Sequence, residues 1–341
     1  MSNLYEQAGV SIDAGQEAVN LIKTAVSATH GPEVLAGVGA FGGLFSLSER
    51  LAGFSQPTLV ASTDGVGTKV KLAAQAGRYG GIGHDIVNHC LNDILCAGEG
   101  VQPLLFLDYI ASSQLVPTMV AEVVTGIAEA CRGIGCALLG GETAEMPGVY
   151  QPNEFDLVGT IVGLVDSGRL YPRPDLKAGD VLLGLPSNGP HTNGYSLIRT
   201  IFADTPLERE FEGIGPLGKA LLRPHRPYLE PLTRLRQAGL PLKGLAHITG
   251  GGLVENVPRV LAGFEGLTVR LDRSKWPLPP LFQLIQAQGG VSDSEMARVF
   301  NMGVGMVLFI DRQATPAALS TLGEGWVIGE VVEGTEMEIG D

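Results

Sequence analysis

Apolar residues recur along this chain in two rhythms. A spacing of three and four through Val19, Ile22 and Val26 predicts a helix capped by Asp13 and running to about His30. Helical stretches are also predicted at residues 82–97, 116–132, 194–202 and 227–238. Short apolar runs predict strands at 57–63, 104–110, 136–139, 155–165, 181–185, 245–248, 304–310 and 326–332. Strands and helices alternate in both halves, the pattern of a two-domain α+β or α/β protein. The stretch 167–180 is rich in Pro and charge and reads as a linker. That places one domain at residues 1–168 and a second, α+β domain at 169–341.

Composition narrows the function classes. A chain of 341 residues exceeds what one hydrophobic core serves comfortably, which agrees with two domains. The net charge of −13 argues against nucleic acid and against an acidic membrane surface as partners. The charge is uneven: residues 1–168 carry −11 and residues 169–341 carry −2. An acidic first half is either solubilising surface or a place for a hard cation such as Mg²⁺. The four cysteines, at 90, 96, 131 and 136, fit no paired zinc spacing and read as reduced, buried thiols. Neither a signal peptide nor an apolar run long enough for a membrane span is present, so a cytoplasmic protein is expected.

Three motif matches fail on context. Residues 37–42 spell a dinucleotide fingerprint, but no strand precedes them. Residues 213–219 resemble a Walker loop, yet Ala220 replaces the hydroxyl that would hold Mg²⁺. His84 and His89 lack a third soft ligand nearby.

The chemistry gathers at strand ends. Residues 62–69 run from a strand into Asp64, Gly65, Gly67, Thr68 and Lys69, a plain Asp-Gly turn or a phosphate and metal loop. On the helix 82–97, Asp85, Asn88, His89, Asn92 and Asp93 oppose an apolar face. An ordinary solvated helix face carries Lys, Glu and Gln, and this one has none, which favours metal or polar-ligand binding. Residues 138–148 form a short strand ending in Gly140, Gly141, Glu142 and Thr143, with Glu145 beyond. Asp108 interrupts an apolar strand and needs a partner. In the second half, residues 187–196 present His191 and Asn193. Residues 247–252 join His247 to Gly250, Gly251 and Gly252 at a helix start suited to an anion. Together these loops point to Mg²⁺-dependent phosphate chemistry.

The segments 63–69, 140–148, 187–196, 247–252 and 300–306 resemble the phosphoribosylformylglycinamidine cyclo-ligase (AIR synthetase) family of the PurM-like ATP-using superfamily. The resemblance runs in order from about Tyr5 to the last strand. It implies an N-terminal ATP- and metal-binding domain whose strands form a barrel across a homodimer. It also implies conversion of formylglycinamidine ribonucleotide to aminoimidazole ribonucleotide with ATP and Mg²⁺. Carried over by motif, Asp64, Asp93, Asp85 and Glu142 are the expected metal carboxylates. Lys23, Asp64, Gly65, Gly67, Thr68, Lys69 and Gly140, Gly141, Glu142, Thr143 are expected at the nucleotide. His191, Asn193, His247 and Gly250, Gly251, Gly252 are expected at the substrate, and His191, Lys69 and Asp64 in the catalytic step. His84 and His89 depart from the family pattern, as does a stretch at 99–102 that is one residue longer.

Overall fold

The structure is a computed structural model that describes residue 4 and residues 8–340; Tyr5 lies outside them. The chain divides into two compact units. One comprises Met1–Ser55, Leu59–Leu91 and Gln102–Leu164, and the other Gln56–Thr58, Asn92–Val101 and Val165–Asp341.

The first unit is built on a four-stranded sheet of β3 (Pro57–Gly65), β6 (Phe155–Asp166), β4 (Gln102–Ser112) and β5 (Ala137–Glu145), in that order. A small ladder of β1 (Val34–Ala36) and β2 (Leu44–Phe45) accompanies it. β4 is antiparallel to β6 and parallel to β5. Parallel neighbours need a crossover, which the helix α4 (Pro117–Gly133) supplies. Helix α1 (Ile12–Ser27) packs on α4. Ser11, not Asp13, caps α1: its hydroxyl accepts from the Ala14 N–H at 3.2 Å. Asp13 sits in the first turn, where a carboxylate suits the helix dipole. Helices α2 (Lys69–Ala76) and α3 (Gly80–Leu95) follow β3. α3 approaches α4 closely because both carry glycine at the crossing. A Cβ on Gly83 would lie 2.3 Å from the Val123 carbonyl oxygen, and one on Gly126 would lie 2.1 Å from that of Gly80.

β5 departs from expectation. Its glycine-rich end reads as a loop in isolation, yet it continues as strand to Glu145, paired with β4 as far as Ser112. Regular pairing with a neighbour outweighs the weak intrinsic strand preference of glycine.

The second unit carries a six-stranded sheet in the order β10 (Gly244–His247), β12 (Val304–Ile310), β7 (Val181–Pro186), β13 (Trp326–Glu333), β11 (Leu267–Asp272) and β14 (Glu338–Gly340). All pairings are antiparallel except β11 with β14. Every residue of β12 is buried, which explains its unbroken apolar run. A two-stranded ladder, β8 (Glu210–Phe211) with β9 (Gly215–Pro216), lies apart from this sheet. Around it run α5 (Tyr195–Ile201), α6 (Leu217–Leu221), α7 (Leu229–Gln237), α8 (Gly252–Asn256), α9 (Pro280–Gly289), α10 (Asp293–Val299) and α11 (Thr315–Leu322). The core gathers Leu182, Ile248, Val269, Trp276, Phe309 and Ile328.

Candidate functional site

In the first unit a cavity of about 690 Å³ opens between α1 and the sheet. Gly140, Gly141, Glu142 and Thr143 line one side, and residues 37–43 line another. A short strand, β1, does precede this glycine run, contrary to expectation, but β2 rather than a helix follows it, so it fails as a dinucleotide fingerprint and instead contributes backbone to a cavity wall. Asp108 also lines the cavity. A Cβ on Gly141 would come 2.3 Å from Asp108 Oδ1, so only glycine fits beside this carboxyl. Asp108 has no cationic partner among the described residues, and burial pushes its carboxyl up to about 7. Glu142 is exposed, and Glu145 has a different job. Its two oxygens accept from the Ser11 N–H at 2.7 Å and the Leu115 N–H at 2.8 Å, tying the start of α1 to the sheet.

The other first-unit residues expected at the nucleotide stand outside this cavity. Asp64 Oδ2 meets His89 Nε2 at 2.9 Å, and its Oδ1 accepts from the Gly65 N–H at 2.7 Å. Gly67 has φ +69 and Thr68 leads into α2. Lys69, expected at a phosphate, and Asp85, expected at a metal ion, are paired with each other. Both are fully buried and bind each other at 2.8 Å, so neither charge is presented to a ligand. Burial lowers the Lys69 ammonium from its usual range while the Asp85 charge opposes that shift. Lys23 is exposed on α1, whereas Gly15, Val19, Ile22 and Val26 are the α1 residues that line the cavity. Asn88, His89 and Asn92 on the polar face of α3 are buried, which no solvated helix face would be.

In the second unit a cleft of about 260 Å³ is lined by Asp93, Cys96, Tyr171, His247, Thr249 and Asn256, among others. His247 Nδ1 donates to Asp93 Oδ1 at 2.7 Å. Its Nε2 lies 3.0 Å from His225 Nε2. Both nitrogens of His247, a residue expected at the substrate, are thus engaged within the protein. His191 is buried, held at φ +61, with its ring stacked on His225 at 3.9 Å. A positive φ in a non-glycine residue is sustained only where the surroundings impose it.

The two second-unit motifs meet beside this group. A Cβ on Gly250 would lie 3.5 Å from Asn193 Oδ1. The Asn193 amide nitrogen is buried without a hydrogen-bond partner, the kind of orphaned donor a bound ligand satisfies. Two asparagines fix these loops. Asn256 Nδ2 donates to the carbonyls of Gly250 and Gly252 at 3.1 and 2.8 Å. Asn301 Nδ2 donates to Gly189 O at 2.9 Å, and its Oδ1 accepts from Ser187 Oγ at 2.9 Å. Gly252 has φ +60, and a Cβ there would lie 1.9 Å from Ala297 O. The helix that follows spans only five residues, so its dipole is small. Sequence reasoning missed His225 and Asn256, which have no motif signal. Cys96 lies in the same cleft, and burial and the Asp93 charge push its thiol up to about 12.

Comparison with known proteins places the chain. Residues 52–165 match the family model described as "AIR synthase related protein, N-terminal domain", and residues 177–341 its C-terminal counterpart. Fold and loops therefore define an AIR synthase-related protein with two mixed α/β domains. Phosphoribosylformylglycinamidine cyclo-ligase of Desulfitobacterium hafniense (strain DSM 10664 / DCB-2) is 50% identical over 97% of each chain. That of Geobacillus thermodenitrificans (strain NG80-2) is 48% identical over 98% of this chain and 97% of the relative. The chain belongs to the phosphoribosylformylglycinamidine cyclo-ligase family. Among solved structures, E. coli HypE, a hydrogenase maturation protein, superposes with TM-score 0.66 at 19% identity, covering 95% of this chain and 93% of that one. Thiamine-monophosphate kinase of Stenotrophomonas maltophilia K279a gives 0.65 at 16%, covering 95% of each. These two likenesses speak to the fold alone.

Proposed function

We propose that this chain converts formylglycinamidine ribonucleotide and ATP into aminoimidazole ribonucleotide, ADP and phosphate, closing the imidazole ring in purine biosynthesis. The observation that carries the reading is 50% identity across 97% of a curated cyclo-ligase. The chemistry asks for activation of a formyl amide oxygen, a poor leaving group. Phosphoryl transfer from ATP makes it a good one, and the neighbouring amidine nitrogen then closes the ring. The protein contributes positioning and a set of dipoles.

Gly140 to Thr143 and the 37–43 loop offer backbone to the nucleotide phosphates. The exposed Glu142 carboxylate and the Asp108 carboxyl without a cationic partner fit a hard cation. Glu142 and Asp64 of the first unit would hold Mg²⁺, which when bound supplies charge neutralisation at the phosphates, and Asp93 stays a candidate carboxylate of the second unit. Asp64 is oriented by His89 and Asp93 by His247. Asn193 donates to the ribonucleotide, and His191, two residues before it, bounds the reacting end. Lys69 acts as a positioning residue, locking the end of the 64–69 loop through Asp85. The reading assigns nucleotide binding and dimerisation to residues 1–168 and the α+β domain to 169–341, a division that the two family matches support.

A homodimer with strands pairing into a barrel is part of the proposal. Its support is an outward apolar surface on the first unit. Leu59 is 63% exposed on the edge strand β3, and Leu35 and Leu44 are exposed as well, while the exposed Phe41 and Leu107 stand at the rim of the cavity. A cytoplasmic location is proposed with it; no described helix is long and apolar enough to cross a membrane.

The test is an assay with formylglycinamidine ribonucleotide, ATP and Mg²⁺. Equal yields of aminoimidazole ribonucleotide and ADP are expected. Turnover of thiamine phosphate instead, with no ring closure, overturns the reading. Light scattering on Leu59→Glu/Leu107→Glu should report monomers; an undisturbed dimer would put the interface elsewhere.

A further inference from the structure

The second unit contains a cluster that the cyclo-ligase reading does not use as a whole. His191, His225 and His247 are 0%, 1% and 6% exposed, and one ring nitrogen from each lies within 4.8 Å of the others. Asp93 stands behind His247, accepting from its Nδ1. We propose that His191, His225 and His247 form a binding site for a borderline transition-metal dication of the Zn²⁺ type, distinct from any Mg²⁺ site of the enzyme.

The donor set selects the ion. Imidazole nitrogen suits Zn²⁺ and its neighbours, whereas Mg²⁺ seeks oxygen ligands and keeps its water. The orientation is preset. Because His247 gives its Nδ1 proton to Asp93, its Nε2 lone pair is directed at His225, the carboxylate–histidine arrangement that supports metal-ligating imidazoles. In the metal-free protein the His225 Nε2–H fills the space between the two rings. An ion takes the place of that proton, with His225 changing to the tautomer protonated on Nδ1.

Distances are close to what is needed. Zn–N bonds of about 2.0–2.1 Å put tetrahedral ligand nitrogens about 3.3 Å apart. The His225–His247 pair, at 3.0 Å, opens by only a few tenths of an ångström. His191 has further to go: its ring is stacked on His225 at an interplanar angle of 23° and must turn to aim a nitrogen inward. The neighbouring cation does not oppose an ion, since Arg226 Nη1 donates to Glu324 at 3.0 Å and to Pro186 O at 2.9 Å. Pro224 and Pro227 flank His225 and Arg226 and restrict that backbone. The alternative is an ordinary buried cluster held by hydrogen bonds and ring contacts, and metal binding separates the two.

The experiment is equilibrium dialysis of the full chain against Zn²⁺ in excess Mg²⁺. One Zn²⁺ per chain is expected. His225→Gln and His191→Gln should each weaken it about tenfold or more, with unfolding midpoints recorded to show that the variants are folded. Co²⁺ loaded in place of Zn²⁺ should show nitrogen ligation without a thiolate charge-transfer band, because Cys96 in the adjoining cleft is the rival ligand. Absence of Zn²⁺ binding, binding unchanged in both variants, or a thiolate band overturns the proposal. The readout is bound metal, so its failure leaves the ring-closure assay unaffected, and the reverse holds.

Discussion

The two units solve the problem of holding a polar ligand with opposite chemistry. The first-unit cavity is walled by glycine backbone, apolar side chains of α1 and the sheet, and the carboxyls of Asp108 and Glu142. The second-unit cleft presents the His247 imidazole and the Asn256 amide, already bonded to Asp93, to His225 and to a loop carbonyl. On the proposed function, the first arrangement takes a cation and phosphates. The second has a shape fixed in advance, so it discriminates by geometry more than by charge. That contrast also separates interior ion pairs from ligand groups: Lys69 and Asp85 belong to the first unit yet serve the fold.

The largest expected effect comes from that pair. Lys69→Met strands a buried carboxylate and should cost about 3–5 kcal/mol in chemical denaturation, with Lys69→Met/Asp85→Leu recovering much of it. If Lys69 instead contacts phosphate, the unfolding midpoint stays put and only KM for ATP rises.

Asp108 gives the next effect. Its folded value of about 7 lies above the ordinary 3.8, so the folded state binds more protons between these limits. Its stability contribution is therefore complete below pH 4 and is lost as pH rises through about 7. Asp108→Asn, studied without Mg²⁺, should be more stable than the parent by roughly 4 kcal/mol at pH 8 and no more stable at pH 4. Parallel stability curves for the two proteins would sink this reading.

Smaller effects test the division of labour. Glu142→Gln should raise KM for ATP about tenfold with the ribonucleotide KM unchanged, and Asn193→Ala should do the reverse. Both variants shifting the same KM would erase the contrast between the units. Least of all should happen at Cys96. With its thiol pushed up to about 12, it should resist alkylation at pH 8 in the folded chain, as peptide mass spectrometry would report. Rapid labelling there would mean the cleft opens.

Much of the fold was legible because buried strands advertise themselves. β12 occupies the residues its apolar run predicts, and β7 and β13 differ by a residue at one end. β5 was misread past Leu139 because pairing with β4 is not written in the local sequence. β11, α9, α10 and α11 were missed, since their short patterns sit among Pro and Gly. Within the site, Gly140 to Thr143 stood out by type. The inward turn of Lys69 did not, because burial depends on what α3 brings against it. His225 was invisible for the same reason: only the fold sets it beside His247.

The buried amides of Asn256 and Asn301 carry a consequence for solution work. Because neutral side chains clamp these glycine loops, their shape should hold as ionic strength rises, while attraction to a charged ligand is screened. Salt titration can then separate ligand charge from loop integrity in one series.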